Sequence, residues 1–377
     1  MLNDKVLEYL DIAKVQQYKS DIGFRTLVES VNDNMYIIPK YQRKYRWGKK
    51  QVIGLVESLL KGLPIPPIYT CRNDKNQLEI LDGQQRVMSL FFYYIGYFLN
   101  KRMESAINFS DLDVGNLSFA DALKEQFPLE ELHITMKGTD NREINVDYAS
   151  LPVEFRRRVD YTTITVIEIK IGREGKKNEI LQTIFANLNK NGALLSNQEQ
   201  RNGIFMCEFY DMLHDFNIKN TKWRKLWGRE DSKDRDLETL LRFCALKKYV
   251  HYTKCQEQKK IEFKIEGYYS SYAEMLDHFS EEAVSFGRED IVEYKNSLEE
   301  FVNLFNINTV LSSKVALVEG FYIIFEKLGT KKEITKSLLD LVQSVGKYKE
   351  NSGQRTVNIK KMNGRWNAVY EIWNEFP

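Results

Sequence analysis

The segment Leu78-Glu-Ile-Leu-Asp-Gly-Gln-Gln-Arg-Val-Met-Ser-Leu90 joins a short apolar run to a dense polar cluster. Residues 78–81 have the composition of a buried strand, and Asp82-Gly83 is a dipeptide typical of tight turns. From Gln84 onward the apolar residues return at helical spacing. The pattern therefore predicts a strand, a sharp turn and a helix in immediate succession.

This polar cluster brings a carboxylate, two amides and a guanidinium to the predicted strand-to-helix junction. The free N–H groups and the positive dipole end at the start of a helix favour an anion. The planar fork of Arg86 suits phosphate, and Asp82 is the group of the cluster that could hold Mg²⁺ or accept a proton. A plain helix cap with a solvated arginine explains the local pattern equally well.

A second concentrated segment is Pro39-Lys-Tyr-Gln-Arg-Lys-Tyr-Arg-Trp-Gly-Lys-Lys50, which contains no acidic residue. Its cations are interleaved with Tyr41, Tyr45 and Trp47. Cations attract phosphates and aromatic faces stack on bases, so the composition favours a nucleotide or a nucleic-acid strand. In the alternative interpretation, the aromatic rings pack inward while the cations stay in solvent.

Around these two segments the pattern predicts a small α+β unit. We expect a short strand at residues 35–38, a helix at 50–61, and a hairpin that pairs residues 68–71 with the strand at 78–81. The alternating, β-branched run at residues 162–171 predicts a further strand of the same sheet.

The rest of the first 205 residues is less regular. Apolar residues within 4–18 predict an opening helix, and residues 101–160 have the composition of an irregular insertion. The basic run Arg156-Arg-Arg158 inside that insertion fits a solvated helix end.

A third segment, residues 184–203, is rich in asparagine and glutamine. Ser196 and Glu199 form a capping box that opens a helix. Capping does not explain the other amides and Arg201, so Asn189 and Arg201 are candidates for a second wall of the pocket.

Beyond residue 205 the apolar residues recur at helical spacing. We therefore predict two domains, an α+β domain over 1–205 and an all-α helical region over 206–377. A chain of 377 residues also exceeds what one compact core usually holds.

Composition narrows the function classes. The net charge of +2 argues neither for nor against nucleic acid. The four cysteines include no Cys-x-x-Cys pair, so neither a zinc site nor a disulfide framework is indicated, and the compartment is predicted to be reducing. Because no apolar run reaches the roughly 20 residues of a membrane span, we expect a cytoplasmic protein without a membrane partner. The oligomeric state is not determined by the sequence.

Three motifs in fixed order resemble the N-terminal domain of the GmrSD-type modification-dependent restriction enzymes, a bacterial family with a ParB/sulfiredoxin-like fold. These are Ile38-Pro-x-Tyr-Gln-Arg-x-Tyr-x-Trp47, Leu81-Asp-Gly-Gln-Gln-Arg86 and Ile184-Phe-x-x-Leu-Asn-x-x-Gly-x-x-Leu-Ser-x-x-Glu199. The resemblance implies phage defence, hydrolysis of a nucleoside triphosphate with Mg²⁺, and sensing of modified DNA. It places at or beside the nucleotide the residues Asp82, Gly83, Gln84, Gln85, Arg86, Tyr41, Gln42 and Arg43.

One feature of many relatives is missing from the pattern. Their appended HNH nuclease domain uses an Asp-His pair and a later Asn to bind a metal. Here Asp277-His278 and His214-Asp215 both lie within helical patterns. The chain therefore resembles a form that hydrolyses nucleotide without cutting DNA, or that works with a separate nuclease from the same operon.

Three hypotheses follow from the sequence. The first is a defence protein that hydrolyses nucleoside triphosphates, with Asp82 as metal ligand, and that binds DNA. The second is a non-catalytic DNA- or protein-binding module whose polar motifs form a buried hydrogen-bond network. The third is a weak Mg²⁺-dependent nickase that uses the ParB-like domain.

Overall fold

The computed structural model divides the chain into two units, Met1–Leu194 and Leu195–Pro377. The first is an α+β unit and the second is mainly helical, which confirms the predicted fold class. The structure describes residues 15–39, 42, 44–100, 107–137, 142–172, 180–181, 183–184, 187–188, 196–231, 233–255, 260–266, 271–306, 311–352 and 357–376.

The first unit contains both β-strands and α-helices, which are interspersed along the chain. Its strands are β1 (Val15–Gly23), β2 (Tyr36–Ile37), β3 (Ile68–Arg72), β4 (Leu78–Asp82), β5 (Tyr97–Leu99), β6 (Leu129–Glu131), β7 (Thr135–Lys137), β8 (Glu143–Asn145) and β9 (Thr163–Ile171). Its helices are α1 (Phe24–Asn32), α2 (Lys49–Lys61), α3 (Gln84–Ile95), α4 (Phe119–Gln126) and α5 (Val153–Asp160).

A five-stranded mixed sheet in the order β1-β9-β3-β4-β2 organises this unit. The hairpin of β3 and β4 is antiparallel, and β9 joins the same sheet parallel to β3, so both sequence predictions are confirmed. The insertion at residues 101–160 contains helices α4 and α5 and the short strands β6 to β8.

The predicted opening helix over residues 4–18 is wrong where it can be checked. Residues 15–18 belong to strand β1, which pairs antiparallel with β9 from Val15 opposite Ile171 to Gly23 opposite Thr163. Residues 16–20 are all polar or aromatic and exposed, so a helix here would have no apolar stripe to bury, whereas a strand gains a backbone ladder. The rest of that prediction lies outside the described residues.

Helix α3 lies in the core of the first unit. Every residue from Gln84 to Tyr93 except Arg86 is buried. The helix packs against α1 and α2, where Phe24, Val52 and Val56 are fully enclosed. Because a helix buried on nearly all sides cannot shift without opening the core, its first turn is held in a fixed position at the end of β4.

The second unit is built mainly from helices. They are α6 (Asn197–Ile204), α7 (Glu208–Lys219), α8 (Thr221–Trp227), α9 (Arg235–Tyr249), α10 (Tyr272–Ala283), α11 (Arg288–Asn303), α12 (Val315–Leu328), α13 (Lys336–Ser344), α14 (Gly346–Asn351) and α15 (Ile359–Glu375). Within the described ranges, no helix is both long and apolar enough to cross a membrane.

This unit also contains strands that the sequence analysis did not assign. They are β10 (Val250–Cys255), β11 (Lys260–Ile265), β12 (Phe305–Asn306) and β13 (Ile334–Thr335). Strands β10 and β11 form an antiparallel hairpin, and β11 packs on α15, where Phe263 is fully buried. The strict alternation of charged and apolar residues in Lys260-Ile-Glu-Phe-Lys-Ile265 is a strand signal that the sequence analysis missed.

Two glycines of the first unit allow a test of how closely the end of strand β1 approaches helix α5. A Cβ on Gly23 would lie 2.8 Å from the backbone oxygen of Asp160, whereas a Cβ on Gly54 in helix α2 would have no neighbour within 4 Å. Gly23→Ala is expected to lower the free energy of unfolding by about 1–3 kcal/mol, because the backbone must move. Gly54→Ala, the matched control, is expected to raise it by up to about 1 kcal/mol through helix propensity. Urea unfolding of both variants measures this, and equal effects would contradict the close approach of β1 and α5.

Candidate functional site

The junction between β4 and α3 is irregular in two ways. The pairing register of β3 and β4 shifts by one residue: Thr70 lies opposite Ile80, but Tyr69 lies opposite Asp82, so Leu81 is a β-bulge. Gly83 then has φ +103°, and a Cβ there would approach Arg86 and Ile68 at 3.2 Å. Bulges next to functional sites often redirect a side chain. Here the bulge immediately precedes Asp82, and only glycine fits the turn that follows it.

Asp82 and Arg86 form an ion pair across the first turn of α3. The NH2 group of Arg86 donates to Asp82 Oδ2 and to the backbone oxygen of Pro67, both at 2.9 Å. Both side chains are partly exposed, whereas the Arg86 Nε is buried and has no hydrogen-bond partner among the described residues. The two hydrogen bonds thus hold the terminal nitrogen of the Arg86 guanidinium in place, and the Nε–H remains as an unused donor. The sequence analysis did not identify Pro67 as a partner of Arg86. The rigid proline-rich connector before β3 was a sign that the backbone is held in place here.

The start of helix α3 has no side-chain cap, because the N-cap residue is Gly83. In most helices a serine, threonine, asparagine or aspartate accepts a hydrogen bond from the first N–H groups. An uncapped helix start is suited to an anionic ligand, because its first N–H groups have no partner within the helix. An anion site at this helix start stays a prediction.

The two glutamines of the motif differ sharply. Gln85 is 4% exposed and fully used: its Oε1 accepts from the backbone N–H of Arg46 (2.9 Å) and Trp47 (3.2 Å), and its Nε2 donates to the oxygen of Lys44 (3.2 Å). Gln84 is 2% exposed, and within the described part of the chain neither its Oε1 nor its Nε2 has a hydrogen-bond partner. Because a buried, unpaired amide costs free energy, we expect a water molecule or a ligand to pair with Gln84.

Gln42 and Tyr45 also have structural partners. The Nε2 of Gln42 donates to the backbone oxygens of Ile80 (3.0 Å) and Leu81 (2.7 Å), which are the carbonyls at the bulge. The hydroxyl of Tyr45 lies 2.8 Å from Ser89 Oγ, and its buried ring packs against other aromatic rings of the core, namely Phe92, Phe98 and Phe109. Burial raises the pKa of Tyr45 and keeps it neutral. Its ring therefore has no open face for a base, and the inward-packing interpretation holds for this residue.

Two lysines of the basic segment 40–50 are less available to a ligand than the sequence suggested. Lys44 is buried, and Lys49 Nζ pairs with Glu130 Oε1 at 2.5 Å. Trp47 is partly buried against the core of the first unit, and Lys50 is exposed. The predicted contacts Tyr41 and Arg43 lie outside the described residues.

Arg201, proposed as part of a second wall, belongs to the second unit. It is buried, and its Nε donates to Asp277 Oδ1 at 2.7 Å while its NH1 lies 3.4 Å from Glu238 Oε2. These bonds tie α6 to α10 and α9. The helix opens with the predicted capping box of Ser196 and Glu199. Asn189 lies outside the part of the chain that the structure describes.

The described residues form no metal-binding site of their own, because they contain no group of three or more His, Cys, Asp or Glu able to hold an ion. Asp277-His278 and His214-Asp215 lie in helices α10 and α7, as expected. Asp82 offers one partly exposed carboxylate. Such a donor set fits Mg²⁺ that is held mainly by the phosphates of a substrate and by water.

Together these features define an α+β domain with a polar motif at an uncapped helix start. Residues 24–206 match the family described as GmrSD restriction endonuclease, N-terminal domain. This part of the chain belongs to that family, and the resemblance based on three motifs is confirmed. The family places the domain in the context of restriction and antiphage defence. A search of curated proteins found no match to the chain.

The neighbouring glutamines provide a matched pair of substitutions with nearly isosteric methionine. Gln85→Met is expected to lower the free energy of unfolding by about 1–3 kcal/mol, because it leaves the backbone groups of residues 44–47 unpaired. Gln84→Met is expected to be neutral or stabilising, because it removes an amide that has no partner. Chemical unfolding without nucleotide measures both. A larger loss for Gln84→Met than for Gln85→Met would show that the two roles are reversed.

Proposed function

We propose that the first unit binds and hydrolyses a nucleoside triphosphate at the start of helix α3, and that the protein uses this activity in DNA restriction. The observation that carries the proposal is the unpaired, buried Gln84 carboxamide at an uncapped helix start. Native folds rarely leave such a group unsatisfied unless it serves a function. A bound ligand would supply the missing partners.

The described side chains would divide the work as follows. The first N–H groups of α3 bind a phosphate, and the unused Nε of Arg86 adds a charge-assisted donor. Asp82 holds Mg²⁺, which supplies positive charge against the phosphates, or orients the attacking water. Gln84 offers one donor and one acceptor to the ligand.

Gln85, Gln42 and Tyr45 have a different role in this proposal. Each is fully engaged with the backbone or with the core, so they position the site rather than contact the nucleotide. The alternative of a purely structural network is supported for these three residues. It does not account for Gln84 or for the unused donor of Arg86.

DNA binding and a separate nuclease partner are part of the same proposal. They are motivated by the restriction context of the family and by the Asp-His pairs, which lie in ordinary helices. Nucleotide hydrolysis would then control an action on DNA that this chain performs together with a partner.

The test measures release of inorganic phosphate from each of the four ribonucleoside triphosphates with Mg²⁺, with and without DNA. Asp82→Asn and Arg86→Gln are expected to lower the hydrolysis rate by about 100-fold or more, because each removes charge stabilisation from the reacting phosphate. Glu57→Gln is the matched control, because it also removes one carboxylate from an i,i+4 ion pair, with Lys61 on the surface of α2. It is expected to retain full activity.

Each outcome of this assay bears on one hypothesis. A folded Asp82→Asn protein that hydrolyses nucleotide at the wild-type rate would refute the assignment of Asp82. If no nucleotide is hydrolysed but plasmid DNA is nicked in a manner that depends on Mg²⁺ and Asp82, the nickase hypothesis would replace the one proposed here.

A further inference from the structure

Helix α5 exposes a polar face that the site at α3 does not use. Glu154, Arg157, Arg158 and Tyr161 follow one another at helical spacing and are all exposed. We call these four residues the α5 surface. Tyr161 is 80% exposed, which is unusual for an aromatic side chain of this size. It directly follows the helix and lies beside Gly23 at the end of β1.

The cations of the α5 surface are available to a partner. No carboxylate forms an ion pair with Arg157 or Arg158, as far as the structure describes the chain. The nearest acid after them in the sequence is Asp160, which accepts a hydrogen bond from Tyr148 (2.6 Å) and lies 3.8 Å from Arg25. Its charge is therefore engaged elsewhere.

The basic segment 40–50 offers a useful contrast. There, Lys44 is buried and Lys49 is paired with Glu130. Free cations on an exposed face can release counterions from DNA, whereas buried or paired ones contribute much less. The charge pattern of the sequence pointed to residues 40–50, but two described lysines of that segment are buried or paired, whereas Arg157 and Arg158 are both exposed.

A helix C-terminus alone favours basic residues, because it lies at the negative end of the dipole. That effect accounts for the arginines in the last turn of α5, but not for an almost fully exposed tyrosine beside them. Arginine and tyrosine together are donors that commonly bind DNA phosphates and sugars. Within the α5 surface, Glu154 is the acidic residue that opposes this chemistry, and it lies one turn before the arginines.

We propose that the α5 surface binds the phosphate backbone of duplex DNA, with Arg157 and Arg158 as charge contacts and Tyr161 as a hydrogen-bond donor. This inference rests on the DNA-binding part of the proposed function and is independent of nucleotide hydrolysis. Backbone contacts position a protein on DNA without reading its sequence. The α5 surface would accordingly bind DNA whatever base modification is present.

The experiment measures binding of a fluorescein-labelled DNA duplex by fluorescence anisotropy over a range of NaCl concentrations, without nucleotide. The double variant Arg157→Gln, Arg158→Gln is expected to flatten the slope of log affinity against log salt by roughly 1.8, at about 0.9 for each phosphate contact. Arg157→Lys, Arg158→Lys keeps the charges and is expected to keep the slope. Lys49→Gln, Lys61→Gln removes the same charge from two lysines that are paired with Glu130 and Glu57, and it is expected to leave the slope unchanged.

Two single variants test the details. Tyr161→Phe is expected to weaken binding by about 2- to 10-fold without changing the slope, because a hydrogen bond is lost but no counterion is involved. Glu154→Gln is expected to strengthen binding by removing repulsion of the phosphates.

The proposal is overturned if the double arginine variant keeps the wild-type slope, if the two double glutamine variants flatten it equally, or if the wild-type protein binds no DNA at low salt. Phosphate release measured without DNA is expected to be the same in the α5 variants and in the wild type. A failure of the α5 surface is thereby distinguished from a failure of the nucleotide site.

Discussion

The carboxamide of Gln85 holds the first unit together where its candidate site is formed. Its three hydrogen bonds attach the backbone of residues 44–47 to the first turn of helix α3. One turn later, Ser89 repeats the attachment through the hydroxyl of Tyr45. Because these groups are buried, each unmade bond would cost more than a typical surface hydrogen bond contributes. The position of α3, and with it the geometry of Asp82 and Arg86, depends on this attachment.

Gln84, the preceding residue, shows the opposite behaviour, although it has the same side chain and nearly the same burial. The described residues give partners to both polar atoms of the Gln85 side chain and to neither polar atom of Gln84. Buried polar groups without a partner are expected where a protein gives up stability for function. The chemical type of a residue therefore did not determine its role in this motif, and the hydrogen-bond partners distinguish the two glutamines.

Much of the architecture could be predicted from the sequence. The hairpin, the helix after Gly83 and the strand near residue 165 follow from local periodicity and turn chemistry, which act over a few residues. Strand β1 could not be predicted in this way, because its conformation is imposed by pairing with β9, far away in sequence. Strand β11 was missed although its sequence alternates strictly between charged and apolar residues, which is a local strand signal.

The residue composition of the candidate site was also visible in the sequence, but the division of roles was not. Nothing in the order of residues 84 and 85 indicates which amide faces a backbone partner. In the basic segment 40–50, the burial of Lys44 and the pairing of Lys49 could not be predicted either, because they depend on distant parts of the chain. Composition predicts which chemistry is available, whereas tertiary contacts determine which groups remain free to perform it.

The ion pair between Asp82 and Arg86 has a consequence for what can enter the site. As it stands, the pair is electrically neutral. A lone anion that approaches Arg86 must compete with Asp82, and a lone cation that approaches Asp82 must compete with Arg86. A cation and an anion that arrive together can replace one ion pair by two. A ligand that carries both charges, such as a phosphate with its metal ion, would therefore be favoured at this ion pair over either ion alone.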